Sequence, residues 1–173
     1  MIGLVDCKTC NLQSLMNALE YKKIDYRLIK SSGDFSPEYK ILLPGVGSFN
    51  NMMKNLKHLK ILDNLKKYIY ENNHFLGICV GMQVLFEKGH EDNTTDGLNI
   101  FKGTVKKINI TGFKTPIIGW NSISANQKFT DLPSLNIFEN SMKEKFYFLH
   151  SYFCDAEISN IVAYSQISNF KYP

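Results

Sequence analysis

Arginine is almost missing from this chain: among its 20 Lys and Arg residues, only Arg27 is an arginine. Arginine is the side chain that most often reads base edges, and the lysines are scattered rather than gathered in one block. The formal net charge of +4 therefore describes a solvated basic surface, and no nucleic-acid partner is expected. No apolar run approaches the length of a membrane span, so no membrane partner is expected either. Met1-Ile2-Gly3-Leu4-Val5-Asp6 has neither a basic lead-in nor a long apolar segment; it reads as a first strand rather than a signal peptide, which points to a cytoplasmic protein. Cysteine is sparse, limited to Cys7, Cys10, Cys79 and Cys154, and in a reducing compartment these are thiols. Cys7-Lys8-Thr9-Cys10 has the C-x-x-C spacing of redox and zinc sites, but zinc needs two further ligands at matching spacing and none is paired elsewhere. No metal is expected, and a redox pair is the lesser reading.

What is present fits one ordinary globular core: 173 residues, 44% hydrophobic and 21% charged. Strand-like Ile2–Val5 precedes a helix in which Leu12, Leu15, Met16 and Leu19 share one face, with Asn11 as N-cap. Tyr26–Ile29 and Ile41–Leu43 read as further strands. Asn51 to Asn72 is an amphipathic, lysine-rich helical region. Strands alternating with helices at this pace predict βαβ units and a parallel sheet, whose active sites gather at the carboxyl ends of the strands. Further on, Gly89–Gly97 reads as a polar loop, Leu98–Ile110 as half-buried strand, Ser122–Asn140 as a loop with one helical turn, and Phe146–Leu149 and Ile161–Ile167 as strands.

The chemistry centres on Gly77-Ile78-Cys79-Val80-Gly81, between the apolar run His74-Phe75-Leu76 and the helix-like stretch Met82 to Glu87. Small residues flanking a nucleophile on a tight strand-to-helix turn make a nucleophile elbow. A thiolate is the reactive form of cysteine, and a helix N-terminus beneath it favours the charged form. The Val80 N–H would point where a tetrahedral oxyanion forms. Burial as a small core residue is the competing fate for a lone cysteine, and the two glycines in a strand-to-helix context decide against it. Pro44-Gly45-Val46-Gly47-Ser48-Phe49 lies at another strand end, where glycine lets backbone N–H groups approach a ligand.

These blocks, together with Asn11-Leu12-Gln13-Ser14, Gly119-Trp120-Asn121 and Tyr147-Phe148-Leu149-His150-Ser151-Tyr152, resemble the class I (triad) glutamine amidotransferases, and within them the glutaminase subunits of imidazole glycerol phosphate synthases. The resemblance implies an α/β, flavodoxin-like fold: a mostly parallel sheet flanked by helices, with added antiparallel strands. It implies glutamine as substrate, a γ-glutamyl thioester on catalytic Cys79, and ammonia passed to a (β/α)8-barrel cyclase subunit in histidine biosynthesis, with no cofactor. By position, Val80 with Val46 and Gly47 resemble the oxyanion hole; Gly45, Gln83, Glu91, Ser151 and Tyr152 resemble the glutamine-binding set; Pro116, Ile118 and Trp120 match the stretch facing the cyclase.

The departures are specific. The family's first turn, Asp-Tyr-Gly-x-Gly-Asn, is here Asp6-Cys7-Lys8-Thr9-Cys10-Asn11, without either glycine, and Ile117 stands where a histidine is common. The family's general base and its orienting acid come from a late His-Pro-Glu motif, which the sequence does not reach before Tyr172-Pro173. The expectation is one amidotransferase domain over 1–173, C-terminally truncated and impaired in catalysis as given. His150 is the best placed of the remaining histidines, with a structural hydrogen bond as its favoured role. The alternatives are a paralogous subunit that feeds ammonia to surface-sugar modification, and a catalytically inactive module that only binds a barrel partner.

Overall fold

The computed structural model describes residues 1–8, 11–129 and 145–173. Its contacts divide the chain into two compact units, Met1–Ile100 and Phe101–Pro173.

In the first unit the apolar runs become buried parallel strands. These are β1 (Ile2–Val5), β2 (Tyr26–Ile29), β3 (Lys40–Gly45) and β4 (Phe75–Cys79), in the order β2-β1-β3-β4. Leu4, Val5, Ile29 and Leu43 are completely buried there. Helix α1 (Leu12–Tyr21) starts where Asn11 accepts the Ser14 N–H, and its apolar face lays Leu12, Leu15, Met16 and Leu19 over Leu4 and Leu42. Burial of each such aliphatic side chain contributes about 1.5–3 kcal/mol, so this stripe fixes the helix far more firmly than its intrinsic propensity. The lysine-rich region forms two helices, α2 (Phe49–His58) and α3 (Leu62–Tyr70), broken at Lys60, whose φ is 56°. Phe49, Met52, Met53 and Leu56 are the buried face of α2.

Two local expectations are corrected in this unit. The helix read from Met82 to Glu87 is instead a single turn, α4 (Val80–Gln83), and Phe86–Glu91 is strand β5. The expected polar loop Gly89–Gly97 is largely the hairpin of β5 with β6 (Asn93–Asp96), turning at Asp92 with φ 55°. Gly89 and Gly97 lie flush on the buried Phe49 ring, where a Cβ at Gly89 would come within 2.4 Å of the ring. This tertiary support gives a strand conformation to a sequence of low strand propensity.

The second unit is antiparallel: β7 (Phe101–Lys107), β8 (Ile117–Ala125), β9 (Lys145–His150), β10 (Tyr152–Ala156), β11 (Ala163–Ile167) and β12 (Phe170–Tyr172). β10 pairs with β7, and a four-stranded sheet runs β12-β11-β8-β9. Ser122–Ala125, expected within a loop, extends β8, because its outer half finds a partner in β11. A single helical turn follows at Gln127–Phe129, and the rest of the expected loop, 130–140, lies outside the described residues. Ile108, Ile117 and Tyr172 form the buried cluster of this unit, with Phe148, Phe153 and Phe170 packed against it.

Candidate active site

Cys79 ends β4 and is the residue from which α4 starts. It is exposed, and its backbone lies at φ 55° and ψ −119°, a region that an L-residue rarely adopts. Such strain persists only where the surroundings over-determine it, and here they do. A Cβ on Gly81 would sit 1.9 Å from the Leu43 carbonyl oxygen; one on Gly45 would sit 2.5 Å from the Gly81 nitrogen; one on Gly77 would sit 2.6 Å from the Gly81 oxygen. Three glycines thus let β3, β4 and α4 touch backbone to backbone, and no other residue type fits at any of them. Val80 opens α4, so its N–H is not taken up by the helix and lies directly after the sulfur-bearing residue. The expected long helix beneath Cys79 is only one turn, so it supplies backbone N–H groups rather than an extended dipole.

The register pairs Gly45 with Cys79, which brings the Pro44–Phe49 loop beside the sulfur. Gly45 is buried; Val46 and Gly47 are exposed. Gly47 has φ 97° and nothing within 4 Å of where its Cβ would be, so the loop is open around it. Gly45, Val46, Ile78 and Cys79 line an open pocket of ≈ 400 Å³ whose far wall is Asn11, Ser14 and the rest of the α1 start. Of the other expected binding residues in this unit, Gln83 is buried at the end of α4, and Glu91 is half-buried, its Oε2 accepting the Phe49 N–H at 2.8 Å. Phe49 was not singled out by the sequence reading. Its position after Gly-Ser and the two glycines opposite its ring were the available signal.

The altered first turn keeps a left-handed residue without glycine: Lys8 has φ 58°, steadied by its N–H donating to Asp6 Oδ1 at 3.1 Å. Cys7 is fully buried with Sγ 3.8 Å from the Pro44 carbonyl oxygen, and the Asn55 side chain donates to the Cys7 carbonyl at 2.9 Å. Cys10, and with it the C-x-x-C pair, lies outside the described residues. Among the described residues no group of three or more His, Cys, Asp or Glu side chains could hold a metal ion, and no helix is long and apolar enough to cross a membrane.

In the second unit Ser151 and Tyr152 are half-buried at the turn from β9 into β10, where the Ser151 carbonyl accepts the Ile108 N–H at 2.8 Å. His150 is held against Phe148 and Tyr172, and its Nδ1–H donates to the Tyr152 carbonyl at 2.9 Å. Burial pushes the imidazole below its ordinary pKa of 6.5, only partly offset by that hydrogen bond. Along β8, Ile117 points in while Ile118 and Trp120 point out, and Pro116 is exposed beside them. Ile118 pairs with Leu149 and Trp120 with Tyr147, and the Trp120 and Tyr147 rings meet edge-on with centroids 5.6 Å apart. Tyr147 and Leu149 are exposed on the same face as Trp120 and Ile118, as the alternation along β9 implies.

Residues 4–170 match the family model of glutamine amidotransferase class-I. The chain belongs to this family. The match runs through both units. Relatives named imidazole glycerol phosphate synthase subunit HisH include that of Caldanaerobacter subterraneus subsp. tengcongensis, 37% identical over 88% of this chain and 72% of the relative. That of Methanocaldococcus jannaschii is 38% identical over 94% of this chain and 78% of the relative. Campylobacter jejuni strain RM1221 has a subunit HisH 1 that is 35% identical over 96% of this chain and 81% of the relative. A crystal structure of a glutamine amidotransferase aligns with TM-score 0.64 at 13% identity, covering 95% of this chain and 84% of that one, and shows the same fold.

Proposed function

We propose that this protein is the glutaminase subunit of an imidazole glycerol phosphate synthase, supplying ammonia from glutamine in histidine biosynthesis. The observation that carries the reading is Cys79: an exposed sulfur on a strained turn, with the Val80 N–H following it and the Gly45 loop paired alongside. In this reading the Cys79 thiolate attacks the side-chain amide carbon of glutamine. The charge that develops on oxygen is met by the Val80 N–H and an N–H of Val46-Gly47. Collapse of the tetrahedral adduct breaks the C–N bond, and the nitrogen leaves as ammonia after taking up a proton. Water then adds to the thioester carbon, the C–S bond breaks, and glutamate departs. On the family resemblance, Gly45, Gln83, Ser151 and Tyr152 are the residues we assign to the amino-acid end of the substrate.

The ammonia acceptor is a (β/α)8-barrel cyclase subunit, and the outward face of Pro116, Ile118 and Trp120 is its docking surface. In the cytoplasm this pair would act as a heterodimer. Exposed Trp and Ile on a flat strand pair favour such a contact, because large rigid apolar side chains dominate interface energetics. The test is release of glutamate from glutamine by the protein bound to its cyclase subunit. Cys79→Ala is expected to abolish release while leaving the two subunits associated. Glutamate release that persists at the parent rate in Cys79→Ala contradicts the assignment.

A further inference from the structure

The Pro44–Phe49 loop is fixed at both ends and open in the middle. At its start Gly45 is wedged against Val80 and Gly81, closer than any side chain allows. At its end Phe49 is the first residue of α2, and three features of the β5–β6 hairpin hold it: Gly89 and Gly97 lie on its ring, and Glu91 Oε2 accepts its N–H at 2.8 Å. That N–H is one that the helix itself cannot satisfy, so a carboxylate there serves both the hydrogen bond and the positive helix end. Between the anchors, Gly47 lies at φ 97° with open space where a Cβ would stand, and Val46 is exposed.

From this we infer that Glu91 is a positioning residue: by clamping the Phe49 N–H it fixes the far end of the Val46-Gly47 loop and so sets where that loop's N–H groups stand relative to Cys79. The inference rests on the glutaminase reading for its consequence in turnover, and on this chain's own contacts for the clamp. Glu91 and Phe49 are 42 residues apart, and this bond together with the Phe49 ring ties the hairpin to the loop. A donor displaced by a fraction of an ångström from the developing oxyanion loses much of its effect, so the loss falls on kcat.

Reach and charge separate this role from direct recognition of the charged end of glutamine. Gln at 91 keeps an acceptor at the same reach without the charge; Asp keeps the charge but withdraws the acceptor by one methylene. The experiment compares Glu91→Gln, Glu91→Asp and Glu91→Ala in the complex with the cyclase subunit, measuring kcat and KM for glutamine and the exchange rate of the Phe49 amide proton. The expected order in kcat is Gln above Asp and Ala, with Asp about tenfold below Gln and KM moving much less. The Phe49 amide should exchange at least about tenfold faster in the Asp and Ala variants than in Gln. Asp equalling or exceeding Gln in kcat, or Phe49 exchange unchanged in Ala, overturns the inference. Glutamine hydrolysis in the parent complex that persists at the same rate in Cys79→Ala would instead refute the glutaminase reading, and the Phe49 exchange rates would still decide the clamp.

Discussion

His150 makes a hydrogen bond of the structural kind that its place at a strand end favours. It follows an apolar strand, as a catalytic base would, yet its Nδ1–H is committed to the Tyr152 carbonyl and its ring is packed on Phe148 and Tyr172. Its Nε2 is buried without a hydrogen-bond partner among the described residues, so protonation there would place a charge in an aromatic pocket. Because the folded-state pKa lies below the ordinary 6.5, the unfolded chain binds the proton more readily. Stability is therefore highest above 6.5 and falls as pH drops through 6.5 toward the depressed folded value. Urea unfolding as a function of pH should show this loss, and His150→Gln should flatten it across the same window. A parent protein whose stability is flat there, or a variant with the same slope, would contradict the assignment.

At the scale of elements, the strands and α1 were legible because each carries its own period. Leu12, Leu15, Met16 and Leu19 mark a helical face, and the Ile41–Leu43 run marks a strand buried on both sides. The stretch after Cys79 was not, since Val84-Leu85-Phe86 fits a helix or a strand equally well; it turns into β5 because Gly89 and Gly97 pack onto Phe49, a contact no local pattern encodes. The same holds for the candidate site. Gly77, Cys79 and Gly81 are readable as a motif, whereas the Gly45–Cys79 register and the Glu91–Phe49 bond join residues far apart in sequence. Strand alternation also exposes the outer face of β8 and β9. Trp120 is 64% exposed and Tyr147 56%, so neither contributes much to the fold that carries them. Trp120→Ala should weaken binding of the cyclase subunit by about 2 kcal/mol, roughly 30-fold in Kd, and leave the melting temperature nearly unchanged. Titration calorimetry with the purified partner checks this; an unchanged Kd would remove Trp120 from the docking surface.

For the molecule as a whole, the family match over residues 4–170 means that the parallel and antiparallel units belong to one amidotransferase pattern. The parallel unit carries the strained cysteine and the loop paired with it; the antiparallel unit carries Ser151, Tyr152 and the exposed aromatic face. On the proposed reading chemistry and docking reside on different elements, so loss of the sulfur and loss of the Trp120 ring are expected to separate cleanly in experiment. The central claim is that Cys79 forms the covalent intermediate. Its most direct test is to quench the subunit complex with acid during glutamine turnover and map the adduct by peptide mass spectrometry. The account predicts a γ-glutamyl group on the Cys79 peptide during turnover, absent from Cys79→Ala. Turnover with no adduct on that peptide, or an adduct on Cys7, Cys10 or Cys154 instead, would contradict it.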